Sequence, residues 1–112
     1  MANPMGSNEQ RRDLRVTSDL PASISIGSQL TVQGQLKDLS LTSAFISIKS
    51  SIFVKTGDEV GFAIQCSPNS TDDLIEGLAR IFRIVTGDGL AIYFTKMDEE
   101  SMGRLKKILQ KS

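Results

Sequence analysis

Short segments in which apolar and polar residues alternate fill the middle of the chain. In LTVQGQLK, residues 30–37, Leu, Val, Gly and Leu alternate with Thr, Gln, Gln and Lys. A period of two places one set on the core side of a sheet and the other set in solvent. The segments SAFISIK at 43–49 and VGFAIQC at 60–66 repeat this alternation. We therefore expect the chain to fold mainly as half-buried strands.

The segment LIEGLARIFRIVT at 74–86 fits two structures. Its apolar residues would also line one face of a helix: Leu74, Leu78, Ile81, Phe82 and Val85. The high content of Ile and Val favours a strand, and Gly77 would weaken a helix. The TGDG sequence at 86–89 is typical of a hairpin turn that leads into GLAIYF. We predict a strand here.

The C-terminal segment MDEESMGRLKKILQKS predicts a helix. Asp98 is a candidate N-cap, acidic residues follow it in the first turn, and lysines come later, an order that suits the helix dipole. The apolar residues form one stripe: Met102, Leu105, Ile108 and Leu109. This stripe could close a barrel or pair with another chain.

Length and turns limit how these elements assemble. A chain of 112 residues has the size of one domain. Many short strands with Gly-containing turns, followed by one helix, predict an all-β sandwich or small barrel. Residues 1–10, MANPMGSNEQ, have no hydrophobic period, so we predict a flexible segment there and a single domain over 11–112.

Charge balance and missing residue types disfavour several functions. Lys+Arg and Asp+Glu both total 13, so a nucleic-acid polymer is an improbable partner and any anion site must be local. The chain has no His, the commonest general base and zinc ligand, and we predict no enzyme activity, metal or cofactor. The acidic pair Asp72-Asp73 is interpreted as solvated loop charge. The single Cys66 and the lack of an apolar run of about 20 residues predict a cytoplasmic protein without membrane insertion.

Three arginines stand close together in NEQRRDLRVT at 8–17: Arg11, Arg12 and Arg15. A guanidinium group matches phosphate oxygens bidentately, and the same fork matches the O6 and N7 acceptors of guanine. Its flat face also stacks on a nucleobase. The cluster could therefore hold a compact nucleotide, or it could be solvated surface charge.

Asp38 and Ser40 lie in KDLSLTSAFI, where one predicted strand ends and the next begins. A carboxylate can accept two hydrogen bonds from the N1–H and N2–H₂ edge of guanine, and a hydroxyl can bond a base edge or a phosphate. The alternative is a turn in which both side chains cap their own backbone.

Two motifs now form an ordered pair. Arg11 and Arg15 fit an RxxxR motif, and DLSLTS at 38–43 fits most of a (D/N)xSxxG motif. On an all-β pattern with a last helix, this pair resembles the PilZ domain, the bacterial receptor for cyclic di-GMP. The resemblance covers nearly the whole chain and implies a six-stranded antiparallel β-barrel with a C-terminal α-helix.

The resemblance also implies roles for particular residues. Arg11 and Arg15 would be the principal clamp on the ligand, and Arg12 a stacking or phosphate partner. Asp38 and Ser40 would bind a guanine from the barrel surface. The chain departs from the family pattern at Thr42-Ser43, where two glycines are common. The hydroxyl of Ser43 could add a contact to the ligand or crowd the site, because glycine allows close backbone approach.

The function that the resemblance implies is a cyclic di-GMP receptor. Ligand would order the N-terminal arm, and a downstream partner protein would recognise the changed surface. The departure at Thr42-Ser43 supports an alternative, a degenerate PilZ domain that no longer binds nucleotide and acts as a protein-interaction adaptor.

Overall fold

The computed structural model describes residues 15–27, 29–49, 53–67 and 70–111. The segment predicted to be flexible, residues 1–10, lies outside this range. Arg11 and Arg12 also lie outside it, and Arg15 is the first residue described.

The described residues form seven strands and a C-terminal helix. The strands are β1 (Arg15–Thr17), β2 (Pro21–Ile26), β3 (Leu30–Ser40), β4 (Ser43–Ser47), β5 (Glu59–Ser67), β6 (Ser70–Val85) and β7 (Gly89–Met97). The helix, α1, spans Glu99–Lys111.

Six of these strands close into an antiparallel barrel in the order β3-β2-β5-β6-β7-β4, because β4 pairs back onto β3. The 11-residue β3 makes closure possible, since its first half pairs with β2 and its second half with β4. The short β1 adds to the second half of β3. The fold predicted from the resemblance, a six-stranded antiparallel barrel with a last helix, is confirmed.

The alternating apolar residues point inward as their period predicts, except Leu30, which is 50% exposed at the start of β3. The inward-facing residues of β3, β4 and β5 are buried together: Val32, Leu36, Ala44, Ile46, Val60, Phe62 and Ile64. The predicted turn at 86–89 contains Gly87 with φ 85°, and the turn before β5 contains Gly57 with φ 94°. A side chain is strained in that conformation, so glycine sets where β5 begins and where the β6–β7 hairpin reverses.

The ambiguous segment at 74–86 is strand, as predicted, and belongs to β6. The placement of Asp72 and Asp73 in a loop was wrong, because β6 begins at Ser70 and continues for 16 residues. The strand begins this early because β5 pairs with its first part, from Ser70 to Arg80. Asp73 lies 3.7 Å from the guanidinium of Arg104 on α1, so its charge has a partner.

Helix α1 begins at the predicted cap. Asp98 Oδ1 accepts a hydrogen bond from the backbone N–H of Ser101 at 2.8 Å. The apolar stripe packs on the barrel of the same chain, with Leu105 and Leu109 buried in the core. The Ser101 hydroxyl, also buried, accepts the backbone N–H of Glu76 at 3.1 Å and fixes α1 to β6. Over the described residues, no helix is long and apolar enough to cross a membrane.

Candidate functional site

The pairing of β1 with β3 brings the two sequence motifs together. Arg15 lies directly opposite Ser40 in this ladder, and Thr17 lies opposite Asp38. Backbones of paired strands are about 4.8 Å apart. The last residue of the RxxxR motif therefore enters the sheet beside the first residues of DLSLTS, although the two motifs are far apart in the sequence.

The turn between β3 and β4 is held by the Ser40 hydroxyl. Ser40 Oγ accepts hydrogen bonds from the backbone N–H groups of Thr42 at 3.3 Å and Ser43 at 3.1 Å. It also lies 3.3 Å from the carbonyl oxygen of Ser43, to which it can donate. Ser40 is buried, so these bonds replace contacts with water. The structure thus shows the turn-forming role that the sequence left open for Ser40.

Ser43 is the residue that replaces a family glycine. Its hydroxyl oxygen lies 3.1 Å from that of Ser40, within hydrogen-bond distance, and both side chains are buried. The hydroxyl of Ser43 thus joins the Ser40 network and at the same time lines the cleft described next.

A cleft of about 440 Å³ opens on the barrel surface beside this turn. It is lined by residues of four neighbouring strands: Asp38, Ser43, Ala44, Phe45, Phe82, Arg83 and Ala91. Of the predicted site residues, Asp38 and Ser43 line the cleft directly. Ser40 lies in the turn at its edge, and the backbone of Arg15 lies on the neighbouring strand.

The far wall of the cleft was not predicted from the sequence. Phe82 and Arg83 come from β6, and the Phe82 ring packs against Tyr93 with centroids 6.1 Å apart and planes tilted by 42°. Both aromatic rings are partly exposed. A sequence signal existed, since an arginine interrupts an apolar run in RIFRIV, but the run by itself does not say which strand faces Asp38.

The cleft carries charge of both signs. Asp38, half-buried, supplies a carboxylate at one side, and the exposed Arg83 supplies a guanidinium at the other. Between them Phe45 and Ala91 form an apolar floor. Acceptors, donors and a flat apolar surface are the groups that bind a purine base.

A second depression of about 470 Å³ lies over β2, β5, β6 and β7. Its lining includes Ser25, Gly61, Leu78 and Lys96, and none of the predicted site residues. Of these two depressions, we place the candidate site in the first cleft, because Asp38 and Ser43 of the second motif line it and Arg15 of the first motif lies opposite Ser40 on the neighbouring strand.

Comparison with protein families identifies one match. The family model for the PilZ domain matches residues 9–111 of the chain. No curated protein matches it.

Solved structures share the fold at low sequence identity. The Bacillus subtilis inhibitor of motility MotI/DgrA superposes with a TM-score of 0.75 and 12% identity, over 91% of this chain and 50% of that one. The chain therefore spans half the length of that protein. The PilZ domain of Escherichia coli YcgR, solved with cyclic di-GMP, superposes with a TM-score of 0.71 and 14% identity, over 91% of this chain and 90% of that one. The PilZ domain of CeSA from a cellulose-synthesizing bacterium superposes with a TM-score of 0.64 and 16% identity, over 87% of this chain and 95% of that one.

Proposed function

Because the chain belongs to the PilZ domain family, we propose that it binds cyclic di-GMP and acts as a receptor for this second messenger. Binding, rather than catalysis, is the proposed activity. The YcgR domain, whose structure contains cyclic di-GMP, shares this barrel and supports the proposal by its fold.

The observation that carries the proposal is the β1–β3 register. It sets Arg15 opposite Ser40 and Thr17 opposite Asp38, at the edge of a cleft that Asp38 and Ser43 line. Strand β1 begins at Arg15 beside Ser40, and Arg11 and Arg12 precede it in the sequence by four and three residues. The arrangement suits a ligand that carries both phosphates and guanines, because arginines pair with phosphates and a carboxylate pairs with a guanine edge.

In the proposed complex each predicted residue has one task. The Asp38 carboxylate accepts hydrogen bonds from N1–H and N2–H₂ of a guanine. Arg11 and Arg15 bind the phosphates, and Arg12 stacks on a base or pairs with a phosphate. Ser40 keeps the turn in shape while offering its hydroxyl at the edge of the site.

Signalling follows from the ordering of the arm. Cyclic di-GMP favours the state in which the arginines close on the ligand, and the population shifts toward that state in proportion to the difference in affinity. A partner protein then binds the surface that closure creates. MotI/DgrA, named as an inhibitor of motility, supports the idea of a protein partner for this fold.

Isothermal titration calorimetry tests the receptor function. We expect cyclic di-GMP to bind the native protein, and Asp38→Ala and Arg15→Ala each to weaken binding by about 2–5 kcal/mol, since each removes one partner of a charged hydrogen-bonded pair. Glu100→Ala is the matched control, because it removes an exposed carboxylate from α1, away from the cleft. No heat from the native protein at high micromolar ligand would refute the proposal, as would equal binding by all three variants.

A second candidate function is supported by the Ser43 hydroxyl. Its hydrogen-bond distance to Ser40 Oγ places an extra group in the turn where family members often have glycine. A domain whose turn no longer admits the ligand would serve as a protein-interaction adaptor. Ser43→Gly separates the two functions: binding of cyclic di-GMP by the variant but not by the native protein would favour the adaptor.

A further inference from the structure

Opposite residues of five neighbouring strands form one continuous row across the candidate cleft. The register pairs Thr17 with Asp38, Asp38 with Phe45, Phe45 with Ala91, and Ala91 with Arg83. Directly opposite residues in antiparallel strands share a face of the sheet. Asp38 and Arg83 are therefore on the same face, three strand spacings or about 14 Å apart along the sheet.

Arg83 reaches this face because β6 contains a bulge. Ile75, Ala79 and Ile81 are buried in the barrel, and the pairing with β7 shifts register between Ile81 and Arg83. Without the shift, the period of two would turn Arg83 into the core. A bulge bends a strand and redirects its side chains, and bulges are frequent beside functional sites.

The bulge also places Phe82 beside the row. Its ring lines the cleft and packs against the ring of Tyr93, which lies two residues after Ala91 on β7. Phe82 is 47% exposed. An aromatic ring held at the side of a polar cleft offers a face to a planar ligand.

Arg83 has no other task within the described part of the chain. It forms no ion pair or hydrogen bond with any described residue, and it is exposed. The neighbouring arginine of the same strand differs, because Arg80 donates to the carbonyl oxygen of Gly57 at 2.8 Å and so fixes a turn. The guanidinium of Arg83 can therefore turn toward the cleft without breaking a contact.

From this row we infer that Arg83 is a second guanine-binding residue, and that it and Asp38 hold two different edges of one base. This role rests on the proposed receptor function. The Asp38 carboxylate accepts from N1–H and N2–H₂, and the Arg83 fork donates to O6 and N7. The base lies over Phe45 and Ala91, with Phe82 at its side.

Binding of both edges predicts a preference for guanine over adenine. Adenine keeps the N7 acceptor but presents an N6–H₂ donor where guanine has O6, so the Arg83 fork loses one of its two acceptors and faces a donor. Adenine also lacks the N1–H and N2–H₂ donors that Asp38 requires. Arg83 is thus a specificity-determining residue for cyclic di-GMP against cyclic di-AMP.

Calorimetry on the full chain tests this role with three variants. Cyclic di-GMP is titrated into the native protein, Arg83→Gln, Arg83→Lys and the control Lys106→Gln, which removes one exposed charge of α1 that does not line the cleft. We expect Arg83→Gln to weaken binding by about 5- to 150-fold, the factor for one bidentate arginine–guanine pair. Arg83→Lys should lose most of the same factor, because an ammonium group cannot form the fork.

Cyclic di-AMP supplies a readout that a structural role would not change. We expect Arg83→Gln to lose part of the native preference for cyclic di-GMP, while Lys106→Gln retains it. Affinity of Arg83→Gln equal to that of Lys106→Gln would overturn the role of Arg83 and leave the receptor function standing. Native affinity in Arg83→Lys would also overturn it, since a point charge would then suffice. If the native protein itself fails to bind, the receptor function and this role fall together.

Discussion

Ser40 connects the shape of the β3–β4 turn to the proposed site. Ser40→Ala removes the oxygen that accepts the N–H groups of Thr42 and Ser43. The bond to Ser43 is buried, and a buried donor left without a partner costs about 1–3 kcal/mol. The Thr42 group lies nearer to solvent, where water can replace the lost bond. We therefore expect the free energy of unfolding of the ligand-free protein to fall by about 1–3 kcal/mol.

The contact between the Ser40 and Ser43 hydroxyls makes a smaller, separate contribution to the free energy of unfolding. Ser43→Ala leaves the backbone bonds to Ser40 Oγ in place and removes the hydroxyl that lies 3.1 Å from Ser40 Oγ. A net contribution of about 0.5–1.5 kcal/mol is typical of one such bond. The double variant should therefore be less destabilised than the sum of the single variants, by about 0.5–1.5 kcal/mol, because each single change already breaks the shared contact.

Urea denaturation without ligand, followed by circular dichroism, measures all three values. Ser25→Ala is the matched control, since among the described residues its hydroxyl makes only an exposed contact with Thr31 at 3.5 Å. Its effect should stay within about 0.5 kcal/mol. A Ser40→Ala variant as stable as this control would refute the turn role. Ser40 would then matter to this protein only through contact with the ligand.

Three further predictions concern the scaffold. Leu105→Ala removes a fully buried side chain between α1 and the barrel and should destabilise the protein by about 2–5 kcal/mol in urea denaturation; a loss below about 1 kcal/mol would contradict this packing. Hydrogen bonds from Ser101, first from its backbone N–H and second from its hydroxyl, hold the pKa of the Asp98 carboxyl below its usual 3.8. The ionised carboxyl therefore stabilises the folded protein above that pH, and this stabilisation is lost as pH falls through the lowered folded pKa. Asp98→Asn should therefore flatten the fall in urea midpoint below about pH 4, and an unchanged slope would argue against the cap. Burial raises the pKa of the Cys66 thiol above 9.0; the charge of Arg104 opposes this shift and that of Asp73 adds to it. An aromatic disulfide reagent should therefore modify Cys66 more slowly at pH 8 than it modifies free cysteine, because the thiolate is the reactive form. An equal rate would exclude this shift.

Much of the barrel was predictable because its signals are local. Alternation identified β3, β4 and β5, the glycine turn at 86–89 marked the end of β6, and Asp98 marked the start of α1. The extent of β6 was missed at its start. The two aspartates at 72–73 have low strand propensity, and pairing with β5 places this segment in the strand.

The side of the candidate cleft that Asp38 and Ser43 line was predictable for a different reason. RxxxR and DLSLTS are short motifs whose residue types already suit phosphates and guanine, so they could be identified before any fold was known. Their proximity could not, because it depends on β1 pairing with the far half of β3. That Ser40 lies both in the turn and at the edge of the cleft also could not be predicted from the motif.

Arg83 was missed because its place depends on the register across four strands and on one irregularity within β6. A strict period of two from Ile75 through Ile81 would direct Arg83 inward, where an unpaired charge is strongly unfavourable. The shift after Ile81 removes that conflict and turns the guanidinium toward the face that carries Asp38. A variant that replaces Arg83 with leucine should accordingly keep the barrel intact, since the position is exposed, and lose affinity for cyclic di-GMP as Arg83→Gln does; a leucine variant that unfolds at a much lower urea concentration would show that Arg83 serves the scaffold instead.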